Sequence, residues 1–319
     1  MDLALIKSIL LSALPAFVAG ATVFVALWWR RGDSPAHAID VGSRRTRPAR
    51  TRDAVVLATF ALLPLVSHRL ITGAWPNLGF HRAGDWMPWL GLATLLPGAL
   101  AVLAGRRDGP VRPRAWVVAS LGACAYLALA TVGPAWRLLH NSWSVSDAAI
   151  NLGVPIALAL IFTLGIVRLA RVRGPGGVLA IGIALFGASQ VVVIDYSSIS
   201  MAQWIGVAAA FLAVAGLLSL FRPNFTLGVA PALAIALFAS AATFQGATFG
   251  SPSNALVLAL LLASSPWVGT LAIRAIRKGE RPSVGALLAH LALTALPVII
   301  AMGIALASMA RAEQDGYDY

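Results

Sequence analysis

Acidic residues are scarce in this chain: Asp and Glu together number 12 in 319 residues, against 24 Lys and Arg. Lysine is nearly missing, since Lys7 and Lys278 are the two that occur, so arginine carries the positive charge. The single cysteine, Cys124, excludes an intrachain disulfide and any cysteine-rich metal site. Charged residues of both signs make up 11%, where soluble domains carry about 25%. The sequence also lacks a His-Glu-x-x-His zinc motif, a phosphate-cradling glycine loop and a nucleophile elbow. These absences remove the common soluble enzyme classes.

What fills the chain instead is apolar. Hydrophobic residues make up 59% and the mean hydropathy is +0.83. A run of ~20 apolar residues at 1.5 Å per residue crosses a ~30 Å hydrocarbon layer as a helix. Such runs occupy 8–29, 54–74, 87–105, 115–134, 148–169, 176–194, 201–220, 226–244, 254–273 and 284–309. They are too long and unbroken for the strands of a barrel. Only helices or closed barrels satisfy their backbone in lipid. The expectation is an all-α polytopic membrane protein, one domain of about ten transmembrane helices.

The arginines set the threading. Arg30, Arg31, Arg44, Arg45, Arg47, Arg50 and Arg52 fill the connection 30–53. Every second connection after it repeats the pattern: Arg106, Arg107, Arg112 and Arg114, then Arg168, Arg171 and Arg173, then Arg222, then Arg274, Arg277, Lys278 and Arg281. Lys7, Arg69, Arg82, Arg137 and Arg311 fall on the opposite side. Positive loops stay cytoplasmic, so both termini are expected outside. The pI of about 11.4 is therefore topological. The expected partner of this charge is the anionic headgroup layer of the cytoplasmic leaflet, and not nucleic acid. Connection 30–53, rich in Gly, Ser, Pro and Arg, is expected to be mobile. The preference for arginine over lysine, with abundant alanine, points to a bacterial inner membrane.

The N-terminus imitates a signal peptide, with Lys7 before an apolar run. That run continues to Trp29 and into Arg30-Arg31, which favours a membrane anchor. Gly228, Ala232, Ala236 and Ser240 recur at four-residue spacing and predict one close-packing helix face. Cys124 reads as a small packing residue. Pro266 follows Ser264-Ser265 near mid-span and predicts a bend or break there.

Polar candidates gather on the arginine-poor side. His68-Arg69 ends the second span, and His81-Arg82 follows in the next connection with Asp85. The stretch 136–147 repeats the composition with Trp136, Arg137, His140, Trp143 and Asp147. Asp195 and Tyr196 follow the sixth span. Counted from Ala54, His68 lies ~21 Å into the hydrocarbon layer, so Arg69 is expected to need a carboxylate, Asp147 or Asp195, or a bound anion. One reading makes these residues interfacial anchors in a belt with Trp75, Trp86 and Trp89. The other makes His68, Arg69, His81, Arg82, Asp85, Arg137, His140, Asp147 and Asp195 a converging substrate site. Within the membrane, His290, Ser264 and Ser265 are further polar candidates.

Arginine forks suit phosphate or carboxylate, and His with Asp can move protons near neutral pH. Two histidines beside tryptophans also suit haem ligation, although neither cofactor nor metal is expected. Three functions stay open: transport of a small solute or anionic lipid headgroup through an outer-side site, a non-catalytic subunit or assembly factor of a membrane complex, and a membrane enzyme or haem-handling protein. The first is preferred.

Overall fold

The computed structural model describes residues 3–29, 46–77, 83–104, 113–172, 174–196, 198–221, 225–250, 254–276 and 283–314. Among these residues the chain is helical, with no strand. In order the helices are α1 (Leu3–Trp29), α2 (Thr46–Thr72), α3 (Ala83–Ala93), α4 (Leu95–Ala104), α5 (Pro113–Asn141), α6 (Val145–Ala170), α7 (Pro175–Ile194), α8 (Ile199–Phe221), α9 (Val229–Phe249), α10 (Ala255–Ile276) and α11 (Val284–Gln314). Nine stretches among the described residues are long and apolar enough to cross a membrane, and α1 adds a shorter apolar stretch, Ala13–Leu27. The protein is an all-α polytopic membrane protein.

Two boundaries differ from the sequence expectation. Helix α2 begins at Thr46, so Arg47, Arg50 and Arg52 lie on a helix rather than in a loop. Residues 30–45 lie outside the described residues. The third span is divided into α3 and α4 at Thr94, a buried residue whose hydroxyl donates to the Gly91 carbonyl at 2.6 Å. Pro97 explains the division, because its missing N–H leaves the Ala93 carbonyl without its helical donor. Helix α2 ends where Gly73 adopts φ +73°, with its N–H on the Arg69 carbonyl at 3.0 Å. A left-handed glycine is the usual helix stop.

Helix α9 is the axis of the bundle and packs against every helix from α2 to α8. It is buried on all sides, so the expected ladder of Ala232, Ala236 and Ser240 is one face among several. Phe24 of α1, Phe60 of α2, Phe211 of α8 and Phe238 of α9 form an aromatic cluster. Its ring centroids stand 5.2 to 5.7 Å apart for the pairs Phe24–Phe211, Phe60–Phe211 and Phe60–Phe238. Lipid is as apolar as leucine, so such packing gains from dispersion rather than from escape from water. Cys124 is exposed on α5, which corrects its expected packing role.

The two ends of the bundle differ. At the arginine-rich end a Cβ on Gly228 would overlap the Asp53 carboxylate, and the Gly174 N–H donates to the Phe225 carbonyl at 2.8 Å. Asp53 thus sits at the N-terminus of α9, where the helix dipole favours a negative charge. At the arginine-poor end Asn254 donates to the Ser308 hydroxyl at 2.5 Å, joining the start of α10 to the end of α11. Helices α10 and α11 therefore run in opposite directions.

Candidate functional site

Helices α6 and α10 are fastened together in their arginine-rich halves. The Trp267 indole donates to the Ile161 carbonyl at 2.8 Å, and the Arg168 guanidinium lies 4.4 Å over the same ring. Gly165 faces Pro266 so closely that a Cβ there would come within 2.7 Å of the proline ring. Toward the arginine-poor end the two helices enclose a cavity of about 370 Å³ with α9. Helix α10 does not pack closely on α9, and this space lies between them.

The walls are mainly apolar. Leu158, Ala159 and Phe162 of α6 face Ala259, Leu262 and Ala263 of α10 across it. Ile150 and Leu256 line its exposed side. The polar residues along the wall are Trp143, Asn151, Tyr196, Ser240, Thr243 and Thr248, and the Tyr196 and Ser240 hydroxyl oxygens are themselves buried. Tyr196 is buried beside Gly246 of α9, and burial pushes its hydroxyl well above the ordinary tyrosine range, with the neighbouring Asp195 charge acting in the same sense. The phenol therefore stays protonated. Neither the Tyr196 hydroxyl nor the Ser240 hydroxyl has a hydrogen-bond partner among the described residues. The Thr243 hydroxyl is engaged, donating to the Ala239 carbonyl at 2.9 Å.

Among the described residues, none of the proposed substrate-site or intramembrane candidates lines this cavity, although their neighbours Trp143 and Tyr196 do. His81 and Arg82 lie outside the described residues, as does the Arg137 side chain. His68 is half-buried near the end of α2, with the Asp85 carboxylate of α3 within electrostatic reach. Arg69 is exposed, and among the described residues no carboxylate pairs with it. The two carboxylates expected to serve it are placed otherwise. Asp147 forms a capping box with Ser144 at the start of α6, where its Oδ2 accepts from the Ser144 hydroxyl at 2.6 Å and from the Ser144 N–H at 3.1 Å. Asp195 is buried at the C-terminus of α7. His140 is exposed and stacks on Trp136 with ring centroids 4.1 Å apart. Asp195 alone adjoins the cavity, through its chain neighbour Tyr196.

The intramembrane candidates join helices. Ser265 donates to the Thr294 carbonyl at 2.8 Å, and the Thr294 hydroxyl donates to the His290 carbonyl at 2.8 Å. His290 is buried, with Nε2 3.2 Å from the Gly176 carbonyl of α7. A carbonyl can only accept, so Nε2 carries the hydrogen. Ser264 donates to Leu261 within its own helix at 2.8 Å. These contacts tie α7, α10 and α11 together. No group of three His, Cys, Asp or Glu side chains that can hold a metal occurs among the described residues.

No protein-family model matches the chain, and no curated protein is similar to it in sequence. Its chemistry must be read from its own geometry. Of the residues that line the cavity, Trp143 and Tyr196 stood in the sequence beside the charged candidates, and Ser240 as part of a packing face. Their convergence depends on three helices distant along the chain.

Proposed function

We propose that this protein binds and transports a small, largely apolar solute through the cavity between α6, α9 and α10. The cavity is the observation that carries this reading. Its volume of about 370 Å³ falls in the range of small-molecule sites, roughly 300–1,000 Å³, and such sites form between the helices of bundles. Its mainly apolar wall with a few polar groups also matches that class. The wall favours an apolar solute over the anionic headgroup that the arginine pattern suggested. In the proposed orientation the arginine-rich end faces the cytoplasm of a bacterial inner membrane and rests against anionic headgroups, so the cavity opens on the outer side.

The fastening of α6 to α10 at one end, and their separation at the other, suits alternating access. The lower halves act as a pivot while the upper halves open and close. Pro155 lines the cavity and Pro266 lies at the fastening, so each helix lacks one backbone donor where a bend is useful.

Labelling from each side tests transport against static binding. Ala259→Cys is placed in a Cys124→Ser background, and a membrane-impermeant maleimide is applied to right-side-out and inverted vesicles. A transporter exposes position 259 to both sides in turn, so both preparations become labelled. Labelling confined to one side, under all conditions, would count against transport and favour a fixed binding subunit.

A further inference from the structure

Three apolar residues of the cavity wall are also exposed: Ile150 at 61%, Val154 at 39% and Leu256 at 55%. They stand where α6 and α10 draw apart, two on one helix and one on the other, and so mark a gap between the two. The gap faces away from the bundle, because Thr243, Phe244 and Ala247 of α9 close the opposite side. Its edges belong to stretches without charge, 148–167 of α6 and 255–273 of α10. At 1.5 Å per residue Val154 lies about 10 Å beyond Asp147, whose capping box marks the start of α6. Half a hydrocarbon layer is ~15 Å deep. The gap therefore opens sideways on the lipid chains of one leaflet, the one at the arginine-poor end.

The shape of the space favours a chain. Residues from Ile150 to Phe162 line it at every turn of α6, over about 18 Å of helix. A volume of about 370 Å³ spread over that length leaves a mean section of about 20 Å². Carbon atoms in contact stand about 4 Å apart, so one methylene chain fills a section of roughly that size. Among the described lining residues none carries a carboxylate, an ammonium, a guanidinium or an imidazole. A charged headgroup would lose its hydration inside without a counter-charge, which is strongly unfavourable. It has to stay at the surface, the level at which Trp143 precedes α6 and at which tryptophan is favoured. An apolar slot open to lipid also gains by filling, since walls without partner atoms lose their dispersion contacts. Lipid chains are the apolar groups that adjoin the gap.

We propose that the cavity takes one acyl chain of a membrane phospholipid, which enters sideways between α6 and α10. This names the substrate class of the cavity assigned above and rests on that assignment. The chain passes Ile150, Val154 and Leu256 and ends between Phe162 of α6 and Leu262 of α10. The headgroup stays at the surface beside Trp143, and the second chain stays in the bilayer. The solute is thus drawn from the membrane and not from water.

Photolabelling from within the bilayer tests the occupant. The protein is reconstituted in vesicles of phosphatidylcholine and phosphatidylglycerol that contain a phosphatidylcholine with a diazirine at mid-chain. After illumination, mass spectrometry locates the labelled residues. Phe162 and Leu262 are buried and line the cavity, whereas Leu271 of α10 is exposed outside it. The phospholipid should label all three. Ala259→Trp fills the cavity and should remove the label from Phe162 and Leu262 while leaving that on Leu271. Leu158→Trp fills it from the opposite wall and serves if the first variant does not fold. Two further probes are used in parallel, a diazirine-bearing free fatty acid and a compact aryl diazirine. Phe162 and Leu262 labelled by either of these but not by the phospholipid would overturn the lipid assignment and keep the cavity as a site for another apolar solute. Leu271 labelled, with Phe162 and Leu262 untouched by every probe, would remove the cavity assignment itself, so the two failures are told apart.

Discussion

The indole nitrogen of Trp267 reaches across from α10 to donate to the main-chain oxygen of Ile161 on α6, at 2.8 Å. This contact lies at the closed end of the cavity, beside the Gly165–Pro266 approach. It sets where the two helices stop being one packed pair and start to be two walls.

Trp267→Phe keeps an aromatic ring and removes the bond. The expected loss is about 0.5–1.5 kcal/mol of stability, the net worth of one such hydrogen bond. The walls should also move more freely. Spin labels at Ile150→Cys and Leu256→Cys, in a Cys124→Ser background, report the spacing across the cavity. A broader distance distribution in the Trp267→Phe protein is expected. An unchanged distribution with unchanged thermal stability would remove the fastening from the account.

Close helix contact is tested by two glycines with opposite surroundings. A Cβ on Gly20 of α1 would stand 2.6 Å from the Phe211 carbonyl oxygen of α8. The obstacle is backbone and cannot rotate away. Gly182 of α7 has open space where its Cβ would be. Gly20→Ala should therefore destabilise by roughly 1–3 kcal/mol through overpacking. Gly182→Ala should be neutral, or stabilise by up to ~1 kcal/mol through helix propensity. Thermal unfolding in detergent measures both, and equal behaviour would contradict the close α1–α8 approach.

The helices were legible because continuous apolarity leaves one solution in lipid. The division at Thr94 was not, since the apolar run passes straight through it and Pro97 gives a local signal that an amphipathic pattern cannot amplify. The central position of α9 was hidden for a related reason. Its mean hydropathy of 1.5 is lower than the 2.3 of α6 and α7, although α9 is the most buried of the spans. In a membrane the most enclosed helix need not be the most apolar, and α9 carries Ser240, Thr243 and Gln245 in its C-terminal half, with Ser240 and Gln245 buried. At the candidate site, charge drew attention to Arg69 and Asp147, while the cavity is built from hydroxyls and alanines. The role of Asp147 was readable, however, because Ser144-x-x-Asp147 has capping-box spacing.

That capping box gives a third test. The Ser144 hydroxyl accepts from the Asp147 N–H at 3.2 Å, and its loss leaves the first turn of α6 without a side-chain cap. Ser144→Ala should cost about 0.5–2 kcal/mol locally. Hydrogen exchange at residues 145–148 should speed up, with the rest of α6 unaffected. Unaltered exchange there would mean that packing alone holds the helix start.

The proposed orientation in the membrane rests on charge placement, and reporter fusions test it. The connections at one end hold Arg106, Arg107, Arg112, Arg114, Arg274, Arg277 and Arg281 among others, while the opposite connections hold few cations. Each Lys or Arg near an anionic leaflet gains about 1 kcal/mol, and translocating such loops is disfavoured. A reporter active only in the cytoplasm should therefore be silent when fused after Tyr319 and active when fused after Arg281. Helix α11 between those two points is long and apolar enough to cross once, so the two fusions must disagree if the proposed threading is right. Activity at both points would mean that α11 does not cross. Activity after Tyr319 with silence after Arg281 would invert the protein, turn the cavity toward the cytoplasm, and require the proposed solute to enter from that side.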